Sequence, residues 1–476
     1  MVVGDVSTGT ELAIIGAGPG GYVAAIRAGQ LDIDVTLVEA DSWGGTCLNY
    51  GCIPSKAMIS ATDVGHDADT AEHMGIYADV KVDLGQMVEW KDGVVDQLTG
   101  GVEKLCKANG VNLVEGRAEF ASEDTLRVVH GGEGQGSETI EFEHAIIATG
   151  SRPIEVPGFE YDGEHVLSSR DVLDLEDVPE SMVVVGAGYI GMELSTVFAK
   201  MGCDVTVVEM LDEVIPGYED DLTTPVKKRA EELGIDFHFG QRAEEWTEAE
   251  DGEGIVVTTE DEDGNTTDFE TEKVFVAVGR EPVLDTLDLE AIGLEPNEDG
   301  RLETDDQTRT DIDHVHAIGD VAPGPMLAHK ASKEGQVAAE VVAGEPAGLD
   351  YQAVPAAVFT DPEIATVGMT EAEAEEAGFD PVVGTFPLRA SGRALTADDA
   401  EGFVRIVADE ESGFVLGGQM VGPEASELVA EVGLAVEMGA TLEDVAATIH
   451  THPTLSETVM EAAENALGRA IHTLNR

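Results

Sequence analysis

Four cysteines are spread over 476 residues, and two of them, Cys47 and Cys52, stand five positions apart in Gly44-Gly45-Thr46-Cys47-Leu48-Asn49-Tyr50-Gly51-Cys52-Ile53-Pro54-Ser55-Lys56. Thiols at that spacing can exchange with a disulfide only if their sulfurs meet. In a regular α-helix residues five apart have Cα atoms about 8–9 Å apart, and a disulfide needs less than roughly 7 Å. The chain must therefore bend between them, and Gly51 has the freedom to allow it. A thiolate at the start of the helix that follows would be stabilised by unpaired backbone N–H groups. Spacing alone leaves a second reading open, two idle thiols. A metal site is disfavoured, because no further ligand pair at zinc-like spacing accompanies them. Cys106 and Cys203 match no motif and read as ordinary buried thiols.

What must position such a pair is visible as a duplication. Leu12 to Ile15 reads as a strand leading into Gly16-Ala17-Gly18-Pro19-Gly20-Gly21, then an Ala-rich helix and a second strand ending in Glu39. Met182 to Val185 leads likewise into Gly186-Ala187-Gly188-Tyr189-Ile190-Gly191, a helix, and a strand ending in Glu209. In each unit the acid stands 23 positions after the first glycine. Of the three motif glycines, Gly16 and Gly186 make the tight turn. Gly18 and Gly188 let backbone approach a pyrophosphate, and Gly21 and Gly191 let helix pack on strand. The terminal carboxylate suits a ribose diol and repels a 2′-phosphate. With no Arg or Lys near Glu209 in sequence, the second site favours NAD over NADP.

Further strands end in small-residue turns at Ala145 to Gly150 and Val274 to Gly279, and the Asp- and Gly-rich stretches 249–254 and 260–268 read as hairpin loops. Past residue 350 the pattern changes. Val354 to Phe359, Phe403 to Val407 and Val415 to Gln419 read as strands, and helical periodicity follows at Glu424 to Met438 and Leu442 to Ile449. Thr454 to Glu457 reads as a capping box opening a further helix. The fold class expected is α/β, with two Rossmann-like dinucleotide-binding domains and a C-terminal α+β domain.

Composition bounds the setting. The 96 acidic residues outnumber 26 basic ones, for a formal charge of −70, yet the chain is rich enough in Val, Ile and Leu to build cores. Its acids are dispersed, as at Glu244-Glu245, Glu260 to Asp263 and Glu373 to Glu376, which suggests a folded protein with an acidic surface. Such a surface repels itself at low ionic strength. At about 1 M salt the Debye length falls to roughly 3 Å and the repulsion is largely screened. The expectation is adaptation to the molar cytoplasmic salt of an extreme halophile. No basic patch offers phosphates a partner, so nucleic acid is excluded. Met1 to Thr10 has no signal-peptide pattern, and no run approaches 18 apolar residues, so a cytoplasmic protein without a membrane span is expected.

The segment from Gly44 to Lys56 closely resembles the redox signature of pyridine nucleotide-disulfide oxidoreductases. The likeness extends to Ala148-Thr149-Gly150-Ser151, Val278-Gly279-Arg280, Ala317-Ile318-Gly319-Asp320 and His450-Thr451-His452-Pro453-Thr454-Leu455-Ser456-Glu457. It implies an FAD-binding domain at 1–152, an NAD-binding domain at 153–281, a central domain at 282–350 that completes the flavin site, and an interface domain at 351–476 that forms a homodimer. It implies that Cys47 exchanges with a dithiol substrate while Cys52 passes electrons to the flavin. Lys56, paired with Glu193, would lie near the flavin's reactive nitrogen. Gly116, Thr149, Gly150 and Ser151 would contact FAD. Asp320 would bind the ribityl chain, with Met326, Leu327, Ala328 and His329 close by. Ala243 and Gly279 would line the NAD site. His452 would be the proton-transferring base, oriented by Glu457 and supplied by the other subunit, with His450 structural.

The substrate implied is a dihydrolipoyl group on the lipoyl-bearing domain of a 2-oxoacid dehydrogenase complex or glycine cleavage system. Two features depart from the family pattern: Val283 stands where Asn often follows Gly-Arg-x-Pro, and Tyr50 where a small apolar residue is commoner. Other FAD-dependent disulfide reductases are the alternatives within the class. Glutathione reductases usually carry basic residues for NADP, against Glu209. Mercuric and large thioredoxin reductases need a C-terminal cysteine pair, whereas the last cysteine here is Cys203. Soluble transhydrogenases lack one redox cysteine. A non-catalytic dinucleotide-binding redox sensor is the reading from another class, and it would need none of Cys47, Cys52, His452 and Glu457.

Overall fold

The computed structural model describes residues 6–131, 136–249, 252 and 254–475. Part of the stretch at 249–254, and the first five residues of the N-terminal segment, fall outside these. The first strand, β1 (Val6–Ile15), passes through the tight turn at Gly16 into α1 (Pro19–Gln30) and returns as β2 (Val35–Glu39). The segment with Cys47 and Cys52 follows as α2 (Gly45–Asn49) and α3 (Cys52–Thr70), and then comes α4 (Leu84–Ala108). Strands β3 (Asn112–Glu115), β4 (Arg117–Ser122), β5 (Thr125–Val129) and β6 (Ser137–Ile147) complete the unit. β3, β2, β1 and β6 are parallel neighbours. The other edge of β6 serves two partners: its first half pairs antiparallel with β5 and its last three residues pair parallel with Val315–Ala317. The sheet is therefore wholly parallel where β1 delivers Gly16, the end at which such sheets bind ligands.

The second unit repeats this plan. α5 (Ser169–Leu173) precedes the strand Ser181–Val185, which runs into α6 (Tyr189–Lys200) and the strand Asp204–Glu209, followed by α7 (Asp220–Glu232). Five parallel strands stand in the order Asp236–Phe239, Asp204–Glu209, Ser181–Val185, Lys273–Val276, Val166–Leu167. The three strands between 241 and 271 form a separate antiparallel sheet, so the loop expected within 260–268 is a hairpin turn. Ser151–Pro153 and Arg280–Pro282 pair antiparallel and tie the two units together.

Residues 315–317 rejoin the first sheet and lead through Asp320 into α8 (Ala328–Val342), which packs beside α1. At its closest, Gly335 leaves so little room that a Cβ there would lie 2.4 Å from the Gly20 carbonyl oxygen. The C-terminal part is a five-stranded antiparallel sheet in the order Ala356–Val358, Glu363–Gly368, Val415–Gly422, Phe403–Asp409, Pro381–Pro387. Helices Ala425–Glu437 and Glu457–Ala466 cover it, joining Val429, Val432, Val459 and Ala462 to Ile406 and Met420 in one buried core. The α/β class and the change past residue 350 are as expected.

Candidate active site

The chain bends where the cysteines require it. α2 ends at Asn49, Tyr50 and Gly51 turn the backbone, and Cys52 opens α3. A Cβ at Gly51 would lie 3.1 Å from the Thr46 carbonyl oxygen, so the turn is tight as well as bent. Both residues are free thiols here and line one cavity. The mutual interaction of the two sulfur groups, with burial, holds Cys47 protonated well above the ordinary thiol range. The same interaction lowers Cys52 to about 7, and the Lys56 charge assists against desolvation. The thiolate therefore settles on the sulfur at the helix start, where unpaired N–H groups favour it.

Lys56, one turn further along α3, donates to Glu193 Oε2 at 2.7 Å, and its ammonium sits 4.4 Å from the centre of the Phe359 ring. Glu193 is 3% exposed, and its second oxygen accepts the Phe359 N–H at 2.9 Å. The pair thus binds α3 to α6 and to the start of the C-terminal part. Phe359 carried no sequence signal for this contact.

A cavity of about 560 Å³ opens beside the cysteines. Gly16, Gly18, Glu39, Gly116, Thr149, Gly150, Ser151, Asp320 and Ala328 line it together with Cys47, Cys52, Lys56 and Glu193. A second cavity of about 480 Å³ is lined by Gly186, Gly188, Glu209, Ala243, Gly279 and Met326. The glycine roles separate cleanly. A Cβ on Gly21 would lie 1.8 Å from the Gly16 carbonyl oxygen, and one on Gly191 2.1 Å from that of Gly186, so both serve helix packing. A Cβ on Gly18 or Gly188 would meet nothing within 4 Å. That open space at a helix N-terminus is what a pyrophosphate needs. The residues fit two dinucleotides.

The two terminal acids are held alike. Glu39 accepts the Ala17 N–H at 2.6 Å on one oxygen and the Asp41 N–H at 2.8 Å on the other. Glu209 accepts the Ala187 N–H at 2.7 Å and the Leu211 N–H at 2.9 Å. Each carboxylate is locked under its glycine turn, leaving its remaining lone pairs for a diol. Burial pushes Glu39 above the usual carboxylate range, although those amides pull it back. One point differs from the sequence reading: Arg242, distant from Glu209 in sequence, lines the same cavity from the next sheet. Its guanidinium is paired with Glu244 at 2.5 Å.

Ser151 donates to Asp320 Oδ2 at 2.6 Å and accepts from Arg280 Nε at 2.8 Å. Arg280 lines both cavities, a position the quoted Val278-Gly279-Arg280 motif contained without marking. Thr149 Oγ1 donates to the Val283 carbonyl at 2.5 Å, and the Val283 N–H returns to Gly150 at 2.9 Å. These are backbone contacts, which explains why valine can stand there. Of the four residues expected beside Asp320, Ala328 lines the first cavity and Met326 the second. Leu327 and His329 line neither; Leu327 opens α8, and His329 bonds to the Pro355 carbonyl at 2.7 Å.

His452 Nδ1 lies 2.9 Å from Glu457 Oε1. Burial raises Glu457, but the Thr454 N–H and the His452 ring outweigh it and hold the carboxyl below its ordinary range. The ring side chain is 80% exposed and lines neither cavity of its own chain. His450 is instead packed against Glu431 at 2.7 Å with 6% of its side chain exposed. The expected capping box is only half present. Glu457 reaches back to the Thr454 N–H at 2.9 Å, but the Thr454 hydroxyl bonds to the Thr451 carbonyl at 2.7 Å and the helix starts later, at Glu457. Cys106 and Cys203 are buried.

Residues 10–335 match the pyridine nucleotide-disulphide oxidoreductase family, and residues 354–463 match the dimerisation domain of that family. The chain belongs to it: it is a flavoprotein disulfide oxidoreductase whose cofactors are FAD and NAD. It is 75% identical to the dihydrolipoyl dehydrogenase of Halobacterium salinarum, each chain covered in full. It is 49% identical to that of Geobacillus stearothermophilus, again over the whole of both. Among solved structures, LpdA of Mycobacterium tuberculosis superposes with a TM-score of 0.89 at 29% identity, covering 96% of this chain and 99% of the other. The halophile relatives agree with the acidic composition, and the dimerisation domain makes the protein a homodimer.

Proposed function

We propose that Cys47 and Cys52 are the redox pair of a dihydrolipoyl dehydrogenase, with the His452–Glu457 pair reaching it from the other subunit. The observation carrying this reading is that Cys47 and Cys52 line the cavity built by the first glycine turn, beside the Lys56–Glu193 pair. The substrate is a dihydrolipoyl group, oxidised to its cyclic disulfide while NAD is reduced. One substrate thiol attacks the Cys47 sulfur of the Cys47–Cys52 disulfide as His452 takes its proton, and Cys52 leaves as a thiolate. The second substrate thiol then displaces Cys47, closing the product ring, and its proton passes to the released Cys47 sulfur. Imidazole is suited to both proton transfers near neutrality. Glu457 fixes the ring and stabilises its charged form, as an acid partner does for other catalytic histidines. Lys56 stabilises the Cys52 thiolate.

Bound FAD would supply a two-electron acceptor for the dithiol and a hydride donor for NAD. Gly16, Gly18, Glu39, Gly116, Thr149, Gly150, Ser151, Asp320 and Ala328 would hold the first cofactor, with Gly21 packing its turn. Gly186, Gly188, Glu209, Ala243, Gly279 and Met326 would hold the second, with Gly191 in the packing role. The corresponding division is 1–152 for FAD, 153–281 for NAD, 282–350 completing the flavin site and 351–476 for the subunit interface. The physiological partner is the lipoyl-bearing domain of a 2-oxoacid dehydrogenase complex or glycine cleavage system, in the cytoplasm. Among the described residues no helix is long and apolar enough to cross a membrane. In molar KCl the purified protein should oxidise NADH with lipoamide and favour NAD over NADP. Cys47→Ser should keep its flavin and lose turnover; normal turnover in that variant refutes the assignment.

A further inference from the structure

We propose that Tyr50 is a positioning residue for the redox pair, gripped by Arg170 and Ser42 so that the turn between Cys47 and Cys52 keeps the geometry that closes the disulfide. This rests on the reading of those cysteines as the redox pair. Tyr50 is the C-cap of α2 and the second residue before Cys52, so any movement of its backbone moves one sulfur against the other. Its N–H is held by the Thr46 carbonyl at 2.8 Å. Its hydroxyl lies 2.8 Å from Ser42 Oγ. The Arg170 guanidinium stacks 3.7 Å from the centre of its ring, well within cation–π range. The phenol is fixed at its root, face and tip.

The anchors are themselves fixed. Arg170 sits in α5, opened by a complete capping box between Ser168 and Asp171. The end of α5 is held by Lys91 of α4, 1% exposed, which donates to the Leu173 carbonyl at 2.9 Å and to Asp174 at 2.6 Å. On the other side Arg170 stands 3.5 Å from Asp41, whose N–H is bound by Glu39. One ring thus gathers the loop leaving the ribose-binding carboxylate, the redox turn and α5. In molar salt a charge–charge contact across a half-exposed gap is screened. A guanidinium stacked on an aromatic face keeps its van der Waals contact.

The two sulfurs of one chain react at an effective concentration set by how tightly the turn is held. Loosening the turn favours the dithiol. In the anaerobic holoenzyme, dithiothreitol would give two electrons and two protons to the Cys47–Cys52 disulfide while closing to its own cyclic disulfide. The equilibrium is read by acid quench, alkylation and peptide mass. Arg170→Ala and Tyr50→Val should each shift it toward the dithiol by about five-fold, the worth of an exposed cation–π contact. Tyr50→Phe, which keeps the ring, should shift it less than Tyr50→Val. Because Arg170 is half-exposed, at 52% of its side chain, its removal leaves no buried gap, and flavin absorbance checks the fold. The Arg170→Ala shift should persist in molar KCl. Unchanged equilibria in both Arg170→Ala and Tyr50→Val, or a shift that vanishes in molar KCl, overturns the proposal. No disulfide in the oxidised wild type overturns the redox reading beneath it as well.

Discussion

At Cys52 the balance between thiol and thiolate falls within the working pH range. Its pKa of about 7 means that the charged form grows as pH rises through neutrality, while Cys47 stays protonated well beyond it. The reduced protein should therefore show one thiolate titrating near pH 7 by ultraviolet absorbance, retained in Cys47→Ser and lost in Cys52→Ser. Replacing Lys56 by Met removes the opposing charge and should move that titration up by about one pH unit or more. Persistence in Cys52→Ser would put the charge on the wrong sulfur. The cysteine spacing was legible in the sequence, and so was the need for a bend. The Lys56–Glu193 contact was not legible from local pattern, because its members stand far apart in the chain; only the family resemblance paired them. Arg280 shows the converse, a residue inside a recognised motif whose bridge between Ser151 and both cavities exists only in three dimensions.

Elements were legible where their own residues carry the pattern. The glycine turns and terminal acids appear where spacing put them. β1 starts earlier than its apolar run suggested, because the stretch before Leu12 pairs with the first half of β6. The i,i+4 pair Lys330–Glu334 on α8 is ambiguous in a sequence, since such pairs usually face water. Here both side chains are nearly fully buried, 2.7 Å apart, and Glu334 also accepts the Gly319 N–H at 2.7 Å, next to Asp320. Burial raises the Glu334 carboxyl and Lys330 opposes that shift. Glu334→Ala would strand a buried ammonium, a loss of about 3–5 kcal/mol. Denaturation in molar KCl should register it, and the freed Gly319-Asp320 turn should retain FAD less well through dialysis. Stability and flavin content equal to wild type would mean that the pair supports neither.

For the whole molecule, composition and family speak together. The His452 side chain is 80% exposed on its own chain, so the site proposed above would need two subunits to be complete. Neither His452→Ala nor Cys47→Ser homodimers should turn over, yet a reassorted mixture should regain activity from hybrid dimers that hold one intact site. A mixture as silent as its parents would place the histidine elsewhere. Stability should climb with KCl as the acidic surface is screened, and a flat series would refute salt adaptation. The scarce cations add a further consequence. Lys200 clasps Asp63 of α3 and Asp361 of the C-terminal part, Arg405 reaches back to Glu219 and Asp221, and Arg27 joins α1 to Glu340 of α8. These cations sit at joints between parts. In dilute buffer the surplus acids flanking each joint would pry at these few rivets first, so the molecule should come apart along its seams while each sheet still keeps its own core.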